Sequence, residues 1–205
     1  MMMLRPLIAA CAVSWFVPGS AFAAPEIGQP APQFEAVAAD GSNVSLTDLR
    51  GKTVVLEWTN DGCPFVQKHY NSGNMQQTQA TAVEGGAVWF QVISSAPGTQ
   101  GHADAARAMA LNEQRNVTDV TNVLLDEEGA VARAYGAQVT PHLYIIDGEG
   151  VLQYMGAIDS IPTGRTEDIA EATNYVVEAL TAMQAGEAVP NPVTRPYGCT
   201  VKYAS

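Results

Sequence analysis

Apolar and polar positions alternate along this chain in a way that predicts short strands and helices in turn. Short alternating runs on both sides of Asp40-Gly41 predict an N-terminal β-hairpin. Apolar runs of strand length predict buried strands, and apolar positions at three- and four-residue spacing predict helices. The predicted strands are 53–58, 87–95, the start of 122–129, 142–147 and 151–158, and the predicted helices are 63–83, 102–115, 128–136 and 169–185.

This order of elements predicts an α/β fold. We expect a central mixed β-sheet, with helices on both faces and the N-terminal β-hairpin as an extension. The hairpin formed by 142–147 and 151–158 supplies antiparallel strands, and the strands before it supply parallel ones. Residues 24–205 are long enough for one domain with its own core, and they end in a Pro-rich tail, 187–205.

The first 23 residues have the features of a cleavable signal peptide. Arg5 precedes the apolar run 6–17, and the small residues Ala21 and Ala23 stand where a signal peptidase requires them. The run is too short to span a bilayer. We therefore expect cleavage after Ala23 and a periplasmic or secreted mature protein without a membrane anchor. Lipidation of Cys11, at the end of a lipobox-like segment, is the alternative.

The chain is acidic, with 21 Asp and Glu against 10 Lys and Arg and a formal net charge of −11. This charge disfavours nucleic acid and anionic membranes as partners. No nucleotide, flavin or haem motif is present, so no cofactor is expected. The histidine spacing is not a metal signature, so no metal is expected, and we predict that His69 and His102 lie on solvated helix faces.

Removal of the signal peptide leaves two cysteines, Cys63 and Cys199, and hence one possible intramolecular pairing. Cys63 stands where a buried strand gives way to a helix, whose free N–H groups and dipole stabilise a thiolate. Pro64 suits the first helical turn because it lacks an N–H. Cys63 is then either a redox-active cysteine or one half of a structural disulfide. Similarly, Pro141 after Thr140 either forms a cis peptide bond or only marks the start of the strand 142–147.

Four parts of the sequence carry a family resemblance: 28–58, Cys63-Pro64, 139–158 and 197–203. Together they resemble the thioredoxin-like superfamily. Within it they are most similar to the alkyl hydroperoxide reductase/thiol-specific antioxidant (redoxin) family, in a peroxiredoxin-like branch with a lone Cys-Pro-Phe-Val motif. The resemblance extends over nearly the whole of 24–205 and implies a thioredoxin-like fold.

The resemblance also implies roles for individual residues. Pro141 is expected to be a cis proline facing Cys63, and Thr140 to offer backbone hydrogen bonds to an incoming thiol or disulfide segment, so that Thr140, Pro141 and Pro64 form the substrate-binding residues. Glu57 matches the buried acid that relays a proton during disulfide exchange, although an ordinary edge or outward-facing glutamate is the alternative. Cys199 is expected to pair with Cys63, either as its resolving cysteine or in a permanent disulfide.

The sequence departs from the family at three positions. Val66 stands where a thioredoxin has its second cysteine. Leu56 and Asn60 stand where true peroxiredoxins have proline and a threonine or serine, so the hydroxyl that orients a peroxide is missing from its usual place. Val66 cannot resolve a mixed disulfide at Cys63, so Cys199 is the candidate for this step.

We expect an exported thiol-dependent oxidoreductase that performs disulfide exchange or peroxide-linked antioxidant chemistry. Its partner is then a thiol or disulfide protein or a peroxide, and its electrons come from another thiol protein. The competing hypothesis is a non-catalytic thioredoxin-fold module with a structural Cys63–Cys199 disulfide, which binds a partner or a metal through the groove beside Pro141.

Overall fold

The computed structural model describes residues 24–204, and the predicted signal peptide at 1–23 lies outside the described residues. Within 24–204, the chain forms nine strands in two sheets. The strands are β1 (Glu35–Ala38), β2 (Asn43–Ser45), β3 (Val54–Trp58), β4 (Val88–Ile93), β5 (Asn122–Leu125), β6 (Val139–Thr140), β7 (His142–Ile146), β8 (Leu152–Gly156) and β9 (Cys199–Thr200).

The larger sheet has the strand order β2-β1-β5-β4-β3-β7-β8. Strands β3, β4 and β5 run parallel, as expected for strands that are joined through helices. Strands β7 and β1 pair antiparallel to the two sides of this parallel group, and β8 and β2 complete a hairpin at each edge. The predicted α/β class, mixed sheet and N-terminal hairpin are confirmed. Strands β6 and β9 form a separate small antiparallel pair.

Helices cover both faces of the large sheet. They are α1 (Pro64–Asn71), α2 (Asn74–Glu84), α3 (Ala105–Gln114), α4 (Ala130–Tyr135) and α5 (Tyr175–Gln184), with 3₁₀ helices at Leu46–Leu49 and Thr166–Glu171. Helix α4 packs on one face, and α1, α2, α3 and α5 pack on the other. None of the helices in the described part of the chain combines the length and apolarity needed to cross a membrane.

Two predicted helices differ from the observed ones. The helix predicted over 63–83 is divided into α1 and α2 at Gly73, whose φ of +78° lies in the left-handed region and cannot continue a right-handed helix. The last helix begins at Tyr175 rather than near Ile169. Asn174 caps α5 by accepting hydrogen bonds from the next turn, which fixes its start, and Ile169 lies in the preceding 3₁₀ helix.

The central strand β3 decides which residues face the cysteine. All five of its residues are buried, because β3 is flanked by β4 and β7 and covered by helices on both faces. Leu56 and Trp58 pack on the α4 face, and Val55 packs on the α1 face with Cys63. Since successive side chains alternate, Glu57 also points to the Cys63 side. Burial of each aliphatic side chain here contributes about 1.5–3 kcal/mol.

Candidate active site around two cysteines

Cys63 lies at the junction between β3 and α1. It is the N-cap of α1, with φ −87° and ψ 121°, and its side chain makes no capping hydrogen bond. Pro64 is the first residue of the helix, where the missing N–H costs no intrahelical hydrogen bond. The Cys63 side chain is 0% exposed. The sulfur therefore sits in the positive end of the helix dipole but away from solvent.

The loop before β7 contacts this sulfur directly. The peptide bond between Thr140 and Pro141 is cis. The Sγ of Cys63 donates a hydrogen bond to the carbonyl oxygen of Thr140 at 3.1 Å. The predicted groove residues Pro64, Thr140 and Pro141 thus surround Cys63 from the helix side and from the β6–β7 side.

Cys199 comes to the same place from the end of the chain. In the β6–β9 pair, Cys199 stands directly opposite Thr140, the residue whose carbonyl contacts Cys63. Both cysteines are thiols in this structure. Burial, followed by a hydrogen bond and an electrostatic interaction with the Cys63 side chain, raises the pKa of the Cys199 thiol to about 11. The structure therefore brings the two sulfurs together as neighbouring thiols.

Glu57 is fully buried in the middle of the sheet, so its interpretation as an edge or outward-facing glutamate is wrong. Its carboxylate accepts hydrogen bonds from Tyr70 Oη at 2.7 Å, Trp89 Nε1 at 2.9 Å and Gln79 Nε2 at 3.1 Å. Burial raises the pKa of Glu57, and these three donors offset only part of that effect. A carboxyl group with a raised pKa keeps its proton to a higher pH than an exposed glutamate does, which suits it to the exchange of a proton during catalysis.

Tyr70 is a site residue that the sequence reasoning missed. Its hydroxyl donates to Glu57 and accepts from Gln91 Nε2 at 2.7 Å, and the guanidinium of Arg115 lies 4.4 Å from its ring centre. Burial and the charge of Glu57 raise the pKa of Tyr70 well above its ordinary value, so the hydroxyl remains a donor. The spacing of Cys63 and Tyr70, two helical turns apart on one face, is the signal that was available.

A buried ion pair anchors the other side of α1. Lys68 Nζ lies 2.7 Å from Asp159 Oδ2 and also donates to the Ile161 carbonyl at 2.9 Å. The two charged side chains are 0% and 3% exposed. The second carboxylate oxygen of Asp159 accepts a hydrogen bond from the Tyr197 hydroxyl, two residues before Cys199. This pair therefore connects α1 with the C-terminal tail.

The prediction of a solvated His69 is wrong. His69 is 0% exposed, and its ring nitrogens lie 3.3 Å from Tyr197 Oη and 2.8 Å from Asn74 Nδ2. Burial lowers the pKa of His69 to about 4, although Asp159 opposes that change, so the ring is neutral at pH 7. The prediction is also wrong for His102, which lies in the loop before α3 rather than on a helix, half-buried and with its Nε2 2.9 Å from the carboxylate of Glu127.

The two positions that differ from peroxiredoxins are both buried. Leu56 is part of the core on the face opposite Cys63. Asn60 is 2% exposed, and its Oδ1 accepts from the Gly62 amide at 2.9 Å. Among the described residues, Asn60 Nδ2 has no hydrogen-bond partner. Neither side chain offers a hydroxyl to a peroxide.

In residues 24–204, no three His, Cys, Asp or Glu side chains are grouped so that they could hold a metal ion. His142, which directly follows Pro141, is 6% exposed, and its ring packs 4.6 Å from the Tyr144 ring. Burial lowers the pKa of His142 to about 4.

Comparison with known proteins gives a family and a set of similar folds. The model of the AhpC/TSA family matches residues 27–155. No curated protein matches the sequence. Among solved structures, an uncharacterized conserved protein from Geobacillus kaustophilus is 26% identical with a TM-score of 0.71, and 87% of this chain and 93% of that one are covered.

Two further solved structures are similar. A hypothetical protein from Sinorhizobium meliloti 1021 has a TM-score of 0.72 at 20% identity, with 89% of this chain and 97% of that one covered. A candidate thiol:disulfide interchange protein, DsbE, from Chlorobium tepidum has a TM-score of 0.51 at 25% identity, with 64% and 85% covered. The expected thioredoxin-like fold is confirmed by these likenesses together with the family match.

Proposed function

Because the chain belongs to the AhpC/TSA family of thiol-disulfide oxidoreductases and peroxiredoxin-like proteins, we propose that it catalyses thiol–disulfide exchange with a protein partner. Cys63 is the nucleophile and Cys199 the resolving cysteine. One observation carries this proposal: Cys199 stands opposite Thr140, and the carbonyl of Thr140 contacts the Cys63 sulfur. Cys199 therefore supplies the second sulfur that resolves the mixed disulfide, a step for which thioredoxins use the cysteine at the position of Val66.

The reaction has two exchange steps. The Cys63 thiolate attacks one sulfur of a partner disulfide, a mixed disulfide forms, and the departing partner sulfur takes up a proton. The Cys199 thiolate then attacks the Cys63 sulfur, so that a Cys63–Cys199 disulfide forms and the second partner thiol is released. The partner disulfide gains two electrons, which this protein loses. A second dithiol protein returns them by the same steps in reverse.

The remaining predicted residues support these steps. The backbone of Thr140 beside Pro141 provides the edge on which an extended partner segment pairs. Pro64 is the first residue of α1, where its fixed φ suits the helix start that positions the sulfur. Glu57, with its raised pKa, holds or releases the proton that thiolate formation exchanges.

Disulfide exchange is favoured over peroxide reduction by the residues near Cys63. An efficient peroxidase needs a donor hydroxyl and a dry pocket open to a small peroxide. Leu56 and Asn60 supply no hydroxyl, and Cys63 is 0% exposed, with Cys199 of the C-terminal tail packed beside it. A thioredoxin-fold module with a structural Cys63–Cys199 disulfide has the same two cysteines, so redox potential separates it from an exchange enzyme.

Export is part of the proposal. The charged Arg5, the apolar run 6–17 and the small residues Ala21 and Ala23 support cleavage of a signal peptide after Ala23. A compartment beyond the inner membrane is one in which disulfides persist and partners for exchange are present.

The test of the proposed function is a thiol count of Ala24–Ser205 across a series of glutathione redox buffers. An exchange enzyme is expected to interconvert between two free thiols and one disulfide with a potential above about −300 mV. A potential far below about −300 mV would identify a structural disulfide and would exclude the exchange reaction. Two thiols that never pair at any buffer potential would contradict the assignment of Cys199.

Replacement of Glu57 by glutamine is expected to slow exchange by about 10²-fold, the usual contribution of a positioned acid–base group. Glutamine keeps the volume and one acceptor oxygen but does not titrate. Turnover of a model disulfide substrate, measured from pH 5 to 9, checks this expectation.

Stability provides the control for Glu57→Gln. Because the folded pKa of Glu57 is raised above 4.5, the folded state holds this proton more tightly than the unfolded state does. The free energy of unfolding of the natural protein should therefore fall, relative to Glu57→Gln, as pH rises above about 4.5. A variant that is stable at every pH and exchanges at the natural rate would remove Glu57 from the mechanism.

A further inference from the structure

The last part of the chain crosses the site as a strap, which we define as residues 194–201. Its first residue is fixed to β8, since Thr194 N donates to the Met155 carbonyl at 3.1 Å and Thr194 Oγ1 accepts from the Ala157 amide at 2.9 Å. Its far end is fixed beside β6, where Val201 N donates to the Gln138 carbonyl at 3.0 Å. Between these two points lies Cys199, whose side chain packs against the cluster that contains Cys63 and is a hydrogen-bonding neighbour of that cysteine.

The middle of the strap is held by Tyr197. Its hydroxyl donates to Asp159, and its ring packs edge-on against Phe65, 5.6 Å between ring centres. Phe65 lies two residues after Cys63 on α1. This single side chain therefore connects the strap with the helix that carries the nucleophile and with the buried Lys68–Asp159 pair.

The strap fits the backbone of the β6 edge closely. Gly198 has a φ of +144°, and a Cβ at this position would lie 1.8 Å from the carbonyl oxygen of Thr140. Only glycine permits so close an approach. The next residue, Cys199, then completes the antiparallel pair with Thr140.

Beside the strap lies a groove of about 610 Å³. Val139 of β6, Asp159 and Tyr175 form its fixed side, and Pro196, Tyr197 and Gly198 form its strap side. The strap thus packs against the rest of the domain along one side and borders this groove along the other. Space exists next to β6 for the approach of a second polypeptide segment.

Taking the proposed exchange reaction as its basis, we propose that β9 occupies the place of a partner strand. An extended, cysteine-bearing segment of the partner displaces the strap from Thr140 and pairs with β6, with its cysteine opposite Thr140. Cys199 leaves with the strap while the mixed disulfide forms. It returns with the strap to attack Cys63, and its return expels the partner segment.

Two features support a polypeptide partner rather than a small thiol or a peroxide. Cys63 is 0% exposed, so access requires movement of the element that lies over it. The edge that the strap leaves behind is backbone of β6, whose hydrogen-bonding groups are satisfied by another strand and not by a small molecule. The displacing segment therefore gains the pairing that the strap loses.

Alkylation of Cys63 measures strap opening without any catalytic step. We use mature protein with Cys199→Ser, so that Cys63 is the one thiol, and add Gly198→Ala, whose methyl group collides with the Thr140 carbonyl. The matched control is Gly186→Ala, at φ +70° between α5 and the tail, where a Cβ meets nothing within 4 Å. Maleimide labelling is expected to be about tenfold faster with Gly198→Ala, because labelling follows the open population, and to change little with Gly186→Ala.

Tyr197→Phe is the second variant, since it removes one hydroxyl and no packing. It is also expected to speed labelling of Cys63, and to speed hydrogen exchange at the Val201 amide. Equal labelling rates in all variants would show that the strap does not control access to Cys63. Equal acceleration by Gly186→Ala would show the same, because general loosening of the tail would then explain the result.

The partner chemistry is tested with two activated disulfides that carry the same thionitrobenzoate leaving group. One is on a ten-residue cysteine peptide, and the other is on cysteamine. With Cys199→Ser, the peptide is expected to react faster than cysteamine, and Gly198→Ala is expected to speed both reactions. Equal rates would overturn the partner-strand assignment. The glutathione titration tests the proposed function separately. If the Cys63–Cys199 reduction potential is that of a structural disulfide but labelling of Cys63 still depends on the strap, the exchange function is rejected and the role of the strap in covering Cys63 stands.

Discussion

Cys63→Ser is expected to lower the rate of disulfide exchange by about 10⁴-fold or more, the scale of loss when a nucleophile is removed. The change exchanges sulfur for oxygen at a buried position and keeps a hydrogen-bond donor for the Thr140 carbonyl. A serine hydroxyl is not ionised at neutral pH and does not attack a disulfide. The measurement is single-turnover reduction of a protein disulfide.

Cys199→Ser is the informative partner of that variant. It leaves the first step intact and removes the second, so a mixed disulfide with the substrate should accumulate at Cys63. Mass spectrometry of the trapped complex identifies the attacking sulfur, and the double variant should trap nothing. Retention of exchange by Cys63→Ser, or trapping through Cys199 alone, would show that the roles of the two cysteines are assigned wrongly.

Asp159→Ala is expected to lower the free energy of unfolding by about 3–5 kcal/mol, since it leaves a buried charge without its partner. Lys68 Nζ is 2.7 Å from the carboxylate and its side chain is 0% exposed, so water does not replace the lost anion. The change also removes the acceptor of the Tyr197 hydroxyl. Urea denaturation at pH 7 measures the loss.

The Arg165–Asp168 pair supplies the control for this prediction. Its side chains are 65% and 14% exposed, and Asp168→Ala is expected to cost about 0–1 kcal/mol, as for other surface pairs. Combining Asp159→Ala with Lys68→Met removes the uncompensated charge and should restore part of the stability. Similar losses for Asp159→Ala and Asp168→Ala would show that the buried pair contributes no more than a surface one.

The fold could be predicted from local pattern because most of its elements are set by near neighbours. The strand ending at Trp58 and the hairpin around Asp40-Gly41 follow from alternation and turn chemistry. The break at Gly73 was missed because a single glycine is also tolerated inside helices, so the residue type alone does not mark an end. Its left-handed conformation is visible only in the folded backbone.

The site was less predictable, since its key contacts connect distant parts of the chain. Cys63 and Pro64 were identifiable from a strand followed by a helix start. In contrast, Lys68 and His69 look like solvent-facing residues until Asp159 and Tyr197 cover them. No local pattern shows which face of α1 the C-terminal tail will bury.

The separation of Cys63 and Cys199 along the chain has a consequence for the order in which the site is assembled. Helix α1 is synthesised before β6, whose Thr140 carbonyl contacts the Cys63 sulfur, and β6 is synthesised before Cys199, which pairs with it. The nucleophile is therefore an uncovered thiol while these later segments are being made. The site closes in two stages, first by β6 and then by the strap.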